Sequence, residues 1–447
     1  MSASISLEQL TSLCKRRGFV FQASEIYGGL AGFWDYGPYG VELINNLKSM
    51  WWQAVVRENS NVFGIDGAII QNAKLWEASG HISGFNDPMV EDLVTKKRYR
   101  ADHIAETDST DLEELKELLK DKKSPEGNPI SEPRYFNMMM KTWVGPLEDD
   151  NSLAYLRPET AGPIFTNFEN VRETTRSKIP FGIGQVGKAF RNEISPRDFI
   201  FRVRELEQME LQYFIKPDSQ AENYEKWKNF TWDFLVKRLG FQESNLQWHE
   251  HDSKERAHYA KAAHDIYFKF PHGFKELWGT HNRTDYDLKN HMKVSGKDLT
   301  FFDDVSNERY IPYVIESSVG LGRLLMAVLV NAYDEDEING EKRIVLRLNP
   351  KLSPVTVAVL PLSKKEELSN LARNVFDKLT QGTVWNIEYD ETQSIGRRYR
   401  RQDEIGTPYC VTVDFESLND KSVTIRDRDS TEQKRVKIDD IIGAIIV

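Results

Sequence analysis

Residues 190–210 read FRNEISPRDFIFRVRELEQME, two strand-like alternating runs joined through a turn that carries Pro196. Four arginines and five acids fall within it, so charge occupies positions where the inward face of a hairpin is ordinarily apolar. Arg191 and Glu193 share one face, Arg202 and Arg204 share another, and Glu210 closes the run. Such a hairpin suits either a solvated surface laced with ion pairs or a wall around a polyanion. Arginine, with its fixed charge and planar fork, is the side chain for phosphate. Two strands of alternating arginines can surround a nucleotide, with the loop ISPRDFI folded over its phosphates.

A second segment points the same way. In IESSVGLGRLLMAVLV, residues 315–330, Gly320 and Gly322 precede Arg323 and an apolar helix follows at once. Glycines let a backbone approach a ligand closely, and a helix N-terminus favours anions. Alone, a GxGR before a helix is equally an ordinary turn.

The rest of the chain bounds the reading. At 447 residues and 40% hydrophobic content it is globular and too long for one core. The net charge of −10 gives no global positive field for nucleic acid, so any such contact needs a local patch. Two distant cysteines, Cys14 and Cys410, exclude a disulfide framework or a multi-cysteine zinc site and suit a reducing cytoplasm. The N-terminus lacks the apolar run of a signal peptide, and no 18-residue apolar stretch predicts a membrane span.

Helices are predicted over 6–17, from Pro38 through VELINNLKSMWWQAVV, and over 220–239, whose aromatic stripe is core. Trp51 and Trp52 suit core or a subunit interface. Residues 106–134 shift abruptly to charge and to Ser-Pro and Asn-Pro, which predicts an exposed insertion around a helix without a convincing apolar face. PVTVAVLPL, residues 354–362, is a continuous apolar run, as a buried parallel strand requires. The strand and helix patterns that follow predict a small α/β domain over 350–447, after a first unit over 1–349.

His249 and His251 alternate along a predicted strand, with His258 and His264 on a predicted helix. Catalytic zinc needs three convergent ligands, so packing and hydrogen bonding are the reading taken. GRRYRRQDE sets Arg397, Arg398, Arg400 and Arg401 around Tyr399, a combination suited to phosphate contact and base stacking, though a solvated helix could carry it too.

Taken together, the Gly-Pro helix (37–52), the FRNE–loop–FRVRE hairpin (190–205) and the GLGR helix (320–330) stand in the order of the three motifs of class II aminoacyl-tRNA synthetases. With YRADH (99–103), LRPETA (156–161), HYAKAAHDI (258–266), NRTDYDL (282–288) and SIGRRYRRQDEIGTP (394–408), the chain resembles the dimeric glycyl-tRNA synthetase family over nearly its whole length. That resemblance implies an α+β fold, an antiparallel sheet flanked by helices with a C-terminal α/β anticodon-binding domain, and a homodimer formed through the first motif. It implies glycine, ATP with Mg²⁺, and tRNA(Gly) as partners, no membrane, and a two-step reaction through glycyl-adenylate. No covalent enzyme nucleophile is needed; positioning and charge stabilisation suffice.

Carried over by residue, the ATP site comprises Arg191, Asn192, Glu193, Phe201, Arg202, Val203, Arg204, Glu205, Leu206, Glu276, Leu277, Gly320, Leu321, Gly322 and Arg323. Of these, Arg191, Arg323 and Glu276 are catalytic, with Glu276 and Glu316 as oxygen ligands of Mg²⁺. The glycine site comprises Arg100, Glu159, Leu206, Glu207, Gln208, Met209, Glu210, Glu316, Ser317, Ser318, Val319 and Gly320, with Glu159, Glu210 and Glu316 on the ammonium and Ser318 crowding the α-carbon. The Arg397–Arg401 run, Tyr399 included, would contact tRNA. Two departures stand out: Gly162-Pro163 where the family reads Gln-Gly, and Leu206 where it has the phenylalanine that stacks on adenine. A non-catalytic class II-like accessory protein, another class II synthetase, and an enzyme making dinucleoside polyphosphates are the alternatives. The joint presence of Arg191, Glu193, Glu276, Glu316 and Arg323 speaks against the first.

Overall fold

The computed structural model describes residues 5–107, 109–150, 152–251, 261–338 and 340–446. Helix α1 (Leu7–Arg17) begins in a capping box between Ser6 and Gln9 and stops at Gly18, whose φ of 71° is open to glycine. Helix α2 (Pro38–Trp52) starts with proline at its first turn, where a missing N–H costs nothing, and buries Leu43, Ile44, Leu47 and Trp51.

The scaffold of the site is a seven-stranded sheet of β1 (Val62–Ile65), β2 (Phe181–Phe190), β3 (Glu205–Ile215), β4 (Leu246–Glu250), β5 (Ala262–Phe270), β6 (Gly273–Thr284) and β7 (Tyr313–Gly320). Its order is β4-β5-β6-β7-β3-β2-β1, antiparallel except for the β1–β2 pair. One face packs on α2, on α4 (Gln220–Asp233) and on α5 (Leu321–Ala332), with Met209, Leu211, Trp227, Trp278, Val319 and Leu325 in the shared core. The hairpin of residues 190–210 therefore enters the sheet, and alternate side chains of its second strand, Gln208 and Glu210 among them, lie on the opposite face. Its loop turns through Asp198 and Phe199, both at positive φ, and Phe199 is anchored edge-on against Trp34.

The insertion differs from expectation. Helix α3 (Leu112–Leu119) has an apolar face after all: Leu115 and Leu119 are buried with Val90 and Ala101 against the strands Asn86–Glu91 and Arg98–Arg100. Buried Asp92 ties the segment down, accepting hydrogen bonds from Ser124 (2.6 Å), Asn128 (3.0 Å) and two backbone N–H groups. Leucines spaced four apart within a run of acids and lysines supply just enough apolar surface for one small cluster. His264 is also not helical; it lies in β5, where pairing with β4 and β6 claims the backbone. His258 lies outside the described residues.

Residues 357–437 form the predicted α/β unit. Its sheet, in the order β9-β8-β10-β11-β12, comprises β8 (Val357–Pro361), β9 (Ile387–Tyr389), β10 (Tyr409–Val413), β11 (Ser422–Asp427) and β12 (Gln433–Lys437). β8 is buried along its length and pairs in parallel with both β9 and β10. Helices α6 (Glu366–Gly382) and α7 (Ile395–Ile405) flank it. This unit docks on α1 and α2 through Arg16 and Arg17 to Glu404 (2.8 and 2.6 Å) and Tyr39 to Glu388 (2.6 Å). No helix among the described residues is long and apolar enough to cross a membrane.

Candidate active site

The open face of the sheet carries a cavity of about 250 Å³ between the 190–210 hairpin, β6, β7 and the start of α5. Strand pairing decides which side chains enter it. Glu210 stands opposite Ser318 and Gln208 opposite Gly320 across β3 and β7, while Gly279 stands opposite Ser318 and His281 opposite Glu316 across β6 and β7. Directly opposed residues share a face, so these form two rows on the cavity side.

At one end lie three arginines. Arg191 donates from Nε to the Pro158 carbonyl (3.0 Å), with its guanidinium 5.6 Å from the Phe85 ring. Arg202 stands 3.8 Å from Glu193. Arg323, at the head of α5, lies 4.4 Å over the Phe201 ring and pairs with Glu276 at 3.0 Å. Gly322 lets the chains approach closely, since a Cβ there would come within a tight 3.0 Å of the Ile200 carbonyl. Val203, Leu206 and Leu277 add apolar wall.

The other end is a carboxylate pocket. Glu316 accepts from Arg283 (2.7 Å), Gln212 (2.7 Å) and His281 Nδ1 (2.9 Å). Burial opposes its charge, but Arg283, His281 and Gln212 hold its carboxyl well below the ordinary value. Glu159 faces His81 at 3.5 Å; burial likewise opposes ionisation, and His81 and Arg283 outweigh it. Glu210 goes the other way: burial, then Glu316 and Glu159, push it up to about 8, although Thr160 and Gln212 donate to it. Three acids thus converge with one of them neutral at pH 7, a pocket arranged to receive a cation. Gln208 sits within 3.5 Å of Ser318, and its Oε1 has no hydrogen-bond partner among the described residues.

Of the residues expected here, Arg191, Glu193, Phe201, Arg202, Val203, Leu206, Glu276, Leu277, Gly320, Gly322 and Arg323 line the arginine end, and Glu159, Gln208, Glu210, Glu316 and Ser318 the acidic end. Others do not enter the cavity, because a strand shows only every second residue to one face. Met209, Val319 and Leu321 are buried in the core behind the sheet. Glu205 pairs with Lys188 (3.0 Å), Glu207 with Lys48 (2.6 Å), and Ser317 accepts from Trp278 Nε1 (2.9 Å). Arg204 is spent on the Glu193 and Ala31 carbonyls, and Asn192 donates its N–H to Met138. Arg100 lies outside the lining, clamped between Asp87 and Asp102.

The paired magnesium ligands also need correction. His281 is opposite Glu316, and Glu276 lies five residues further along β6, roughly 16 Å at about 3.3 Å per residue. Glu316 already holds three donors. Glu276 is half exposed at the mouth, where its carboxylate pairs with Arg323.

In the C-terminal unit the arginine cluster splits. Arg398 is 1% exposed and donates to the Pro361 (2.7 Å) and Asp390 (3.0 Å) carbonyls. Tyr399 packs under Arg426 with its hydroxyl on Thr412 (2.5 Å). Arg398 is therefore turned into the interior, and Tyr399 is half-buried with its hydroxyl engaged. Arg401 pairs with Asp390 (2.5 Å) and Arg400 with Glu341 (3.2 Å), while Arg397 is exposed.

Tyr36, Ile200, Gly279, His281 and Arg283 line the cavity without having been singled out. Arg283 was within sight in NRTDYDL. Its fork holds Asp287 (2.7 and 2.8 Å) as well as Glu316, so a buried arginine is fully paired where an isolated one would be costly.

The comparisons with known proteins agree with this geometry. The family described as the tRNA synthetase class II core domain (G, H, P, S and T) matches residues 145–332, and the anticodon binding domain matches 356–446. A glycine–tRNA ligase of Clostridium acetobutylicum is 51% identical, spanning 98% of this chain and 97% of its own. Those of Caldanaerobacter subterraneus and Treponema denticola are 50% and 48% identical over 99% of this chain, covering 98% and 96% of their own lengths. In fold, the chain is similar to a Giardia lamblia prolyl-tRNA synthetase solved with prolyl-adenylate, at TM-score 0.68 and 14% identity, over 99% of this chain and 76% of that one. With half of its residues matched from end to end and a cavity split between guanidinium groups and carboxylates, this chain belongs to the glycine–tRNA ligase family of class II aminoacyl-tRNA synthetases.

Proposed function

We propose that magnesium-chelated ATP occupies the arginine end of the cavity and glycine the carboxylate end. A glycine carboxylate oxygen attacks the α-phosphorus and the bond to pyrophosphate breaks; the terminal ribose hydroxyl of tRNA(Gly) then attacks the glycyl carbonyl, and AMP leaves. The observation that carries this reading is the division of one cavity into Arg191, Arg202 and Arg323 on one side and Glu159, Glu210 and Glu316 on the other. Arg191, bonded to the Pro158 carbonyl next to Glu159, is the arginine that borders the acids, where charge accumulates as the carboxylate meets the phosphate. Arg202 takes the outer phosphates, and Arg323, backed by Phe201, covers adenine on one side with Leu206 as apolar contact on the other. Glu276 faces the magnesium that arrives with the triphosphate.

Glycine offers an ammonium, a carboxylate and no side chain. The acids read the ammonium, and Ser318 on β7 fills the space a side chain would need, since overfilling a rigid pocket costs about 1–3 kcal/mol. The catalytic unit is read as 1–349 and the anticodon-binding unit as 350–447, in which exposed Arg397 is the first candidate for contact with tRNA. A homodimer suits exposed Ile26, Tyr27, Leu30 and Val41 around the start of α2, and a cytoplasmic location suits two unpaired, buried thiols. Charging of a tRNA(Gly) transcript with labelled glycine tests the whole reading. Glycyl-tRNA formation that needs both ATP and magnesium is expected; no charging by well-folded protein would refute it.

A further inference from the structure

Behind the glycine pocket a chain of contacts runs across the sheet away from Glu316. His281 meets Glu316 Oε1 with Nδ1 at 2.9 Å and Asp265 Oδ1 with Nε2 at 3.3 Å. Asp265 is 4% exposed, and its second oxygen meets His251 Nε2 at 2.6 Å. His251 follows the end of β4. His281, Asp265 and His251 are the one group of three or more His, Cys, Asp or Glu side chains among the described residues whose donor atoms converge within 4.8 Å. Both nitrogens of His281 and both oxygens of Asp265 are engaged, so the ring and the carboxylate are each fixed in orientation.

Gly279 fits this arrangement. It stands opposite Ser318 on one side and opposite Asp265 on the other. A Cβ at 279 would lie 3.1 Å from Asp265 Oδ1 and 3.1 Å from both Cε1 and Nε2 of His281. The ring therefore lies where a side chain at 279 would go, and closes the pocket wall next to the residue that crowds the α-carbon.

Resting on the glycine reading above, we propose that His281, backed by Asp265 and His251, is a positioning residue for glycine. It orients the Glu316 carboxylate toward the α-ammonium and fills the wall beside Gly279 and Ser318. It touches neither ATP nor the reacting phosphorus. The groups facing it are Glu316 from β7, Asp265 from β5, and Arg283 on its own strand, with His251 behind Asp265. Arg283 fixes one oxygen of Glu316 and His281 the other, so removing the imidazole leaves the carboxylate held from one side only. A buried ion pair of this kind is costly unless every lone pair is met, which gives the second donor a physical reason to exist.

Steady-state pyrophosphate exchange on His281→Ala, His281→Asn, Asp265→Asn and Gly279→Ala tests this. His281→Ala should raise KM for glycine about tenfold, the scale of one lost hydrogen bond to a charged group, and change KM for ATP less than twofold. Asparagine keeps a donor where Nδ1 stood, so His281→Asn should recover most of the loss. Asp265→Asn and Gly279→Ala, which disturb the ring without deleting it, should raise KM for glycine selectively. Unchanged glycine KM in His281→Ala, or parallel rises in both KM values across the set, would overturn the proposal. If His281→Ala does not fold, the other three variants decide by the same ratio. Absence of glycine-dependent exchange in the unsubstituted protein would instead count against the functional reading itself.

Discussion

Glu159→Gln probes the acidic end with the least disturbance, because it replaces a carboxylate by an amide of the same shape. Glu159 is held as an anion by His81 and Arg283 against the opposing effect of burial. A hydrogen bond to a charged group contributes about 1.5–3 kcal/mol, or roughly 10- to 150-fold in binding. A second effect offsets part of that loss. Glu159 is one of the charges that keep Glu210 protonated, so removing it lets Glu210 ionise more readily and meet the ammonium in its place. Glycine affinity should therefore fall by roughly 10- to 30-fold, the lower part of that range. In the proposed arrangement ATP lies against Arg191, Arg202 and Arg323, away from Glu159, so its affinity should change less than twofold. Calorimetric titration of each substrate separately reads both numbers. Equal weakening of the two, or unchanged glycine binding, would refute the role given to Glu159.

Three further outcomes follow from the same geometry. Arg191→Ala should slow glycyl-adenylate formation by about 100-fold, the scale of one aimed donor, measured by single-turnover quench; a near-normal rate contradicts it. Glu210, raised to about 8 by burial and by Glu316 and Glu159, is mostly protonated at pH 7, and an arriving ammonium favours its anion. Glycine binding at pH 7 should then release close to one proton, seen as buffer-dependent calorimetric heat, and affinity should rise with pH up to about 8. Glu210→Gln should abolish that release, and buffer-independent heats in the unsubstituted protein would contradict the assignment. In the C-terminal unit, Arg398→Ala strands two carbonyls in the interior and should lower stability by about 2–4 kcal/mol in urea unfolding. Arg397→Ala should leave stability unchanged and raise KM for tRNA; the reverse pattern would restore Arg398 as the contact.

What the sequence conceals is mostly a matter of facing. The hairpin, the GLGR turn and the buried parallel strand are legible because each depends on local alternation or on an uninterrupted apolar run. Assigning consecutive residues 206–210 and 316–320 to glycine ignores that period: Glu207, Met209, Ser317 and Val319 turn away from the cavity. The same period would have found two of the missed residues. In GFKELWGTHNRT, His281 and Arg283 are polar at alternate positions of a sheet strand, on the face opposite Trp278. Helical spacing carried a similar warning, since Ile395, Arg398, Gln402 and Ile405 make one stripe and Arg398 lies inside it. Asp265 is different. Its contact with His281 crosses from β5 to β6 in a register broken by a bulge near Tyr267, which no local pattern reveals.

The pocket as a reader of an unsubstituted amino acid is tested most directly by pyrophosphate exchange with glycine, alanine, serine and proline in turn. Because the three acids would accept any α-ammonium, selectivity must come from the wall formed by Ser318, Gly279 and His281. Rapid exchange with glycine is expected, with rates lower by at least about tenfold for each of the others, the discrimination that one clash supplies. Exchange as fast with alanine as with glycine would contradict it.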